Sequence, residues 1–215
     1  MTLGDFRERE PITNLLLYHL FRDFVIVPPF YTYFKGRVYD SKKVPQTKPH
    51  IVVSNHASYF DPLIISHSVG RPVAYMAKEE LFDIPLLKQW MMLYGAYPVK
   101  RETGDRGAIR AAINALQNGW MVGIFLEGTR TPDARISYPK LGAAMIAAKA
   151  QVPLLPMSLW GTEKILQSSS VPKSVPLTVR FGELIDPPTS SKRKELESVT
   201  QKCATIINSL HDLGR

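Results

Sequence analysis

His56 and Asp61 stand five positions apart in the stretch Asn55-His56-Ala57-Ser58-Tyr59-Phe60-Asp61-Pro62, directly after the apolar run Ile51-Val52-Val53. An imidazole beside a carboxylate is suited to taking a proton from a hydroxyl. The ring titrates near neutrality, and the carboxylate fixes its tautomer and orientation. The spacing carries a condition. On one continuous helix, at about 100° per residue, the two side chains would be turned roughly 140° apart and could not meet. They require a turn after a strand, with Asp61 in the first turn of a helix, and Pro62 suits that position. Alone, each residue has a plain structural reading: Asp61 as an N-cap, His56 as a satisfied histidine at a strand end. The pair, flanked by Asn55 and Ser58, favours chemistry.

Two further clusters supply the charge that such a base would need around a phosphorylated substrate. Phe125-Leu126-Glu127-Gly128-Thr129-Arg130 follows an apolar run and sets a carboxylate, a flexible backbone position, a hydroxyl and a guanidinium in sequence. Glycine there lets a backbone amide approach a ligand closely. Gly95-Ala96-Tyr97-Pro98-Val99 ends in Lys100 and Arg101, a point charge and a group able to hold phosphate through two hydrogen bonds. Either cluster alone is equally well a salt-bridged turn. Val152-Pro153-Leu154-Leu155-Pro156 reads by itself as a core strand bounded by prolines.

Other chemistries lack their residues. The chain has no G-x-S-x-G, no Walker loop and no G-x-G-x-x-G. One cysteine and scattered histidines give no metal-site spacing. That single cysteine excludes an internal disulfide and argues for a reducing compartment. Cys203 lies on the stripe Leu196, Val199, Cys203, Ile206, Ile207, Leu210 and reads as a small buried hydrophobe.

The 215 residues suit one domain with a sizeable core, and 45% hydrophobic with 21% charged residues is ordinary for a globular chain. A formal charge of +8 favours polyanions: nucleic acid, anionic lipid or phosphorylated substrates. No nucleic-acid recognition motif accompanies it, so nucleic acid is set aside. The first eleven residues mix charges of both signs, unlike a secretory signal, and no stretch offers the ~20 uninterrupted apolar residues of a spanning helix.

The elements that must position the site follow from the pattern. Strand-like runs at His50–Ser54, Val73–Ala77, Ala96–Val99, Met121–Leu126, Leu154–Leu159 and Leu177–Phe181 alternate with helical patterns near Pro62–Ser68, Pro85–Leu93, Arg106–Gln117 and Leu141–Ala150. A last helix runs from about Lys192 to Leu210. This alternation predicts a single α/β domain, residues 49–215, with a central mixed, largely parallel sheet flanked by helices. Gln167–Pro176 reads as a surface loop.

An N-terminal amphipathic helical segment, residues 1–48, precedes it. As a helix it carries Leu16, Leu17, Leu20, Phe21, Phe24 and Val27 on one stripe, with Leu15 and Tyr18 as exceptions. Pro28 and Pro29 are expected to end it, before the aromatics Phe30, Tyr31, Tyr33 and Phe34 and the basic residues Lys35, Arg37, Lys42, Lys43 and Lys48. Two readings stand: an interfacial element lying on an anionic membrane, or a helix packed on the core.

Taken in order, Asn55-His56-x-x-x-x-Asp61, Gly95…Arg101, Glu127-Gly128-Thr129-Arg130 and Val152-Pro153-Leu154-Leu155-Pro156 resemble the four ordered motifs of the glycerolipid acyltransferases, specifically the 1-acylglycerol-3-phosphate acyltransferase type. They span roughly residues 50–160. The resemblance implies transfer of a fatty acyl group from acyl-CoA or acyl-carrier protein to the free hydroxyl of lysophosphatidic acid, giving phosphatidic acid in phospholipid biosynthesis. It implies His56 as base and Asp61 as its orienting partner. Arg101, Glu127, Gly128, Thr129 and Arg130 would hold the acceptor's phosphate and glycerol end, with Asn55, Ser58 and Lys100 alongside them and Pro153 on the acyl side. No cofactor or metal is expected, and the expected place is the cytoplasmic side of a membrane, peripherally bound. The second block departs from the family pattern, since Pro98-Val99-Lys100 stands where an aromatic or aliphatic residue and then Asp often precede the arginine. The alternatives are an acyltransferase or transacylase acting on another lysophospholipid or on glycerol-3-phosphate, and, in a different class, a non-catalytic membrane-surface binding protein.

Overall fold

The computed structural model describes residues 12–78, 83, 88–89, 97–99, 105–167 and 171–215. Its centre is a seven-stranded sheet. The strands are β1 (Arg37–Tyr39), β2 (Ile51–Ser54), β3 (Val73–Lys78), β4 (Tyr97–Val99), β5 (Met121–Phe125), β6 (Leu154–Trp160) and β7 (Thr178–Phe181), in the spatial order β1-β7-β6-β2-β5-β3-β4. Every pairing is parallel except β6 with β7, so the sheet is mixed and largely parallel. A parallel strand covered on both faces is apolar along its length. β2 meets this rule, with all four of its residues buried.

Successive residues of a strand point to opposite faces, and the two cores divide accordingly. Ile51 and Val53 join the core under α4 (Asp105–Gln117), α5 (Gly142–Ala150) and α6 (Arg193–Asp212), with Ala112, Leu116, Ile146 and Ile207. Val52 joins the opposite core with Leu155, Met157, Phe181 and Ile65 of α3 (Asp61–Val69). Cys203 is fully buried, as its stripe predicts, and burial pushes its thiol up to about 12.

The six predicted strands correspond to β2–β7. β1 escaped notice because three residues, Arg37-Val38-Tyr39, carry only one side chain that turns inward. It pairs with β7, Arg37 opposite Thr178, so a stretch assigned to the N-terminal segment forms the edge of the sheet. The helix expected near Pro85–Leu93 lies outside the described residues apart from Lys88 and Gln89, which are helical. The predicted surface loop contains no helix or strand where it is described.

Pro28 and Pro29 do not end the N-terminal helix. α1 (Ile12–Phe21) passes through a π turn, Arg22–Ile26, into α2 (Val27–Thr32), whose first turn holds both prolines. The amide groups of a first turn have no partner within their helix, so proline costs little there. Of the predicted stripe, Leu16, Leu17, Leu20 and Phe24 are exposed, Phe24 to 76%. The exception Tyr18 is the residue that is buried, with its hydroxyl donating to the Ser66 carbonyl at 3.0 Å. Phe30 also packs inward. The segment is therefore anchored to α3 through Tyr18, through Phe30 against His67, and through Arg22, which donates to the Gly70 carbonyl at 3.1 Å. Its aliphatic ridge faces outward.

Candidate active site

His56 lies just beyond the carboxyl end of β2, at the edge where parallel sheets place their ligand crevices. Four residues of turn bring the chain round to Asp61, the first residue of α3, with Pro62 next. The turn meets the condition set by the spacing: His56 Nδ1 and Asp61 Oδ2 are 2.7 Å apart. The same oxygen accepts the backbone N–H groups of Ala57 and Ser58, at 2.7 and 2.8 Å. Asp61 is fully buried while the His56 side chain keeps 18% of its surface. A carboxylate receiving two amide donors acts as acceptor for the ring as well, so Nδ1 donates to it and the neutral form of the ring has its lone pair on Nε2. Asp61 Oδ1 is buried with no hydrogen-bond partner among the described residues, and an unpaired buried oxygen is costly.

The face of the imidazole rests on Phe125, with ring centroids 3.7 Å apart and planes 12° from parallel. The His56 carbonyl accepts the Thr131 backbone N–H at 2.8 Å, and the Thr131 hydroxyl lies between it, at 3.2 Å, and the Arg135 carbonyl, at 3.1 Å. Asn55 and Ser58, expected near substrate, are turned into the protein. The Asn55 amide donates to the carbonyls of Ala134 and Leu159 and accepts the Leu159 N–H, tying β2 to β6 and to the loop after β5. Ser58 is buried in the turn, its hydroxyl accepting from the Phe60 N–H. Both shape the turn rather than present a surface.

The Glu-Gly-Thr-Arg cluster divides its labour. Glu127 is buried, and one carboxylate oxygen accepts the N–H groups of Ser137 and, at 2.8 Å, Tyr138. It closes the loop and does not touch the surface where an anion would sit. Gly128 has φ of +70°, a conformation glycine enters freely. A Cβ there would stand 3.2 Å from the Lys140 ammonium, so the missing side chain leaves room for this cation. Thr129 and Arg130 are exposed. The Arg130 guanidinium lies 3.6 Å above the Tyr59 ring, over the turn that carries His56. Among the described residues neither Arg130 nor Lys140 pairs with a carboxylate. Lys100 and Arg101 lie outside the described residues.

Pro153 is not brought to this edge. It precedes β6, and its carbonyl accepts the Ile51 N–H at the amino end of β2. The strand length, four residues at about 3.3 Å each, separates it from the His56 turn. Sequence reasoning missed Phe125, Thr131, Lys140 and Tyr59 as parts of the site. Tyr59 sits inside the His-Asp stretch and Phe125 opens the second cluster, so both were within view. Nothing in the sequence marked Thr131 or Lys140.

The sequence model of the family described as Acyltransferase matches residues 35–160, more than half of the chain. The chloroplastic 1-acyl-sn-glycerol-3-phosphate acyltransferase of Brassica napus is 32% identical over 143 residues, covering 65% of this chain and 41% of that protein. A probable 1-acyl-sn-glycerol-3-phosphate acyltransferase of Mycoplasma genitalium is 34% identical over 165 residues, 67% of this chain and 59% of the relative. The chain thus spans well under two thirds of either protein. The crystal structure of the 1-acyl-sn-glycerophosphate acyltransferase PlsC from Thermotoga maritima superimposes with a TM-score of 0.79 at 28% identity, covering 97% of this chain and 85% of that one. The matched residues hold β2, the His56 turn, β5 and the Gly128 loop, so the likeness covers the site as well as the fold, and the chain belongs to the acyltransferase family.

Proposed function

We propose that this chain transfers a fatty acyl group from a thioester, acyl-CoA or acyl-carrier protein, to the free hydroxyl of 1-acylglycerol-3-phosphate, giving phosphatidic acid. The observation that carries the reading is the commitment of His56 Nδ1 to a buried carboxylate. Nε2 is left to act, on a turn overlain by Arg130, which pairs with no carboxylate among the described residues. The hydroxyl proton passes to Nε2 as the oxygen bonds to the thioester carbonyl carbon. When the adduct collapses the C–S bond breaks, and the leaving thiolate takes the proton from the imidazolium. Arg130 and Lys140 hold the phosphate and so fix where the hydroxyl points. The names of the relatives support this acceptor.

The outward ridge of Leu16, Leu17, Leu20, Phe24 and Val25, followed by the exposed Lys35, Arg37, Lys42 and Lys48, supports peripheral binding to an anionic membrane. No helix of the described residues is long and apolar enough to cross one.

The test is a panel of donors and acceptors followed by mass spectrometry of the lipid product. Donors are acyl-CoA and acyl-carrier protein; acceptors are 1-acylglycerol-3-phosphate, glycerol-3-phosphate and a zwitterionic lysophospholipid. Phosphatidic acid from the first acceptor is expected. His56→Ala should lower turnover by about 10³-fold and Asp61→Asn by about 10²-fold, both proteins remaining folded. Full activity in His56→Ala, or acylation of the zwitterionic acceptor alone, would sink the reading.

A further inference from the structure

Three aromatic rings run inward from the site in one file. Phe125 stacks on His56, and Tyr75 stacks on Phe125 with centroids 5.8 Å apart and planes 19° from parallel. The strand register explains how the file forms. Gly123 and Phe125 are two positions apart on β5 and share a face. Gly123 lies opposite Tyr75 of β3, and Phe125 lies opposite Ser54 of β2. A Cβ on Gly123 would stand 2.2 Å from Tyr75 Cε1, so the tyrosine ring occupies the space that a side chain would take. Laid across the bare backbone, it reaches the back of Phe125. The hydroxyl of Tyr75 is buried and has no hydrogen-bond partner among the described residues. The ring is therefore held by packing, at the expense of its polar atom.

Such a stack meets a need that Asp61 leaves open. The hydrogen bond to Asp61 directs Nδ1, but one bond sets a direction and not a plane. The near-parallel phenyl ring sets the plane, and with it the direction in which Nε2 faces. The π-face is also the negative side of an aromatic ring, so it attracts the cation that the imidazole becomes on accepting a proton. The attraction grows as charge develops on His56, and only interactions stronger in the transition state than in the ground state raise turnover.

We propose that Phe125 is a positioning residue of the acyl transfer, holding the His56 plane and stabilising its imidazolium, with Tyr75, admitted by Gly123, as its backing. The proposal rests on His56 acting as the base. The variants Phe125→Leu and Phe125→Tyr separate ring from bulk, with kcat and KM measured for donor and acceptor. Phe125→Leu, which keeps apolar volume and loses the π-face, is expected to lower kcat about tenfold, about 1.4 kcal/mol. Both KM values should stay within twofold, and Phe125→Tyr should retain kcat within threefold.

Equal losses in the two variants would reduce Phe125 to packing, and a raised KM at constant kcat would make it a wall of the substrate site. Either result overturns the proposal, as does unchanged kcat in Phe125→Leu. Circular dichroism of each variant guards against misfolding. If Phe125→Leu does not fold, Tyr75→Leu against Tyr75→Phe is read the same way. A threefold fall in kcat is expected only where the ring is lost, and equal kcat in that pair also overturns the proposal. His56→Ala is assayed alongside. If it remains active, the base itself is misassigned; if it is inactive while the ring variants are normal, only the role of Phe125 fails.

Discussion

Thr131 holds the carbonyl oxygen of His56 through its backbone N–H, and its single hydroxyl proton is shared between that oxygen at 3.2 Å and the Arg135 carbonyl at 3.1 Å. The loop bearing Arg130 and the turn bearing His56 are thereby fastened back to back. Replacing Thr131 by valine keeps the shape and the N–H but loses the hydroxyl. We expect about 1 kcal/mol lower stability by denaturant melting and a fall in kcat of threefold to tenfold. An unchanged rate would mean that the N–H alone holds the turn.

Arg130 above Tyr59 predicts an effect on binding rather than on chemistry. Arg130→Ala should raise KM for the phosphorylated acceptor at least tenfold while leaving KM for the donor in place. Arg130→Lys should restore little, since an ammonium cannot lie flat on a ring and fork to phosphate at once. Tyr59→Ala should fall between wild type and Arg130→Ala, with Tyr59→Phe close to wild type. Steady-state kinetics with both substrates varied would separate these.

His67, in the last turn of α3, lies against Phe30 and Tyr31, and its two buried ring nitrogens have no hydrogen-bond partners among the described residues. Burial, and then the positive charge of Arg22, lower it from 6.5 to about 4, with Asp23 opposing weakly. The unfolded chain binds this proton more readily than the folded one. The neutral ring's contribution is therefore complete above pH 6.5 and is lost as the pH falls from 6.5 to 4. Allowing for partial exposure, the loss is roughly 2 kcal/mol. Thermal melts of wild type and His67→Phe across that range should diverge, the variant showing the flatter dependence.

The outward ridge predicts separable membrane binding. Phe24→Glu with Leu20→Glu should abolish sedimentation with anionic vesicles and leave the melting temperature within about 2 °C, because neither side chain packs inward. Binding that survives both changes would place the contact elsewhere. Loss of Tyr18, in contrast, should loosen the segment from α3.

Much of the frame was legible because parallel strands covered on both faces announce themselves as apolar runs. β2 and β6 are of this kind, and the carboxyl end of β2 marks the edge where the site lies. β1 was not legible, for at three residues and one inward side chain it has no period to detect. The stripe of α1 is legible in its residues but not in its direction. A helical period reports that two sides differ, not which one meets the protein. At the site, the chemistry of His56 and Asp61 constrained the turn strongly enough to require its shape. Asn55, Ser58 and Glu127 were drawn toward substrate by their polarity, and the structure uses that polarity on backbone groups. For Asn55 that bonding reaches Ala134 and Leu159, far along the chain, and for Glu127 it crosses a loop to Ser137 and Tyr138; the Ser58 bond, to the Phe60 N–H, is local.

One such tie reaches further than the site. Asn208 of α6 accepts the Ile136 N–H at 3.0 Å and donates to the Ile136 carbonyl at 2.8 Å, while Arg135 pairs with Asp212. The loop that carries Arg130 and Lys140 is thus moored to a helix that contributes no atom to the chemistry. Thermodynamic linkage makes the mooring reciprocal. Whatever steadies the end of α6 steadies the loop of Arg130 and Lys140, and a phosphate held by those two cations, as proposed, would in turn slow the fraying of that helix.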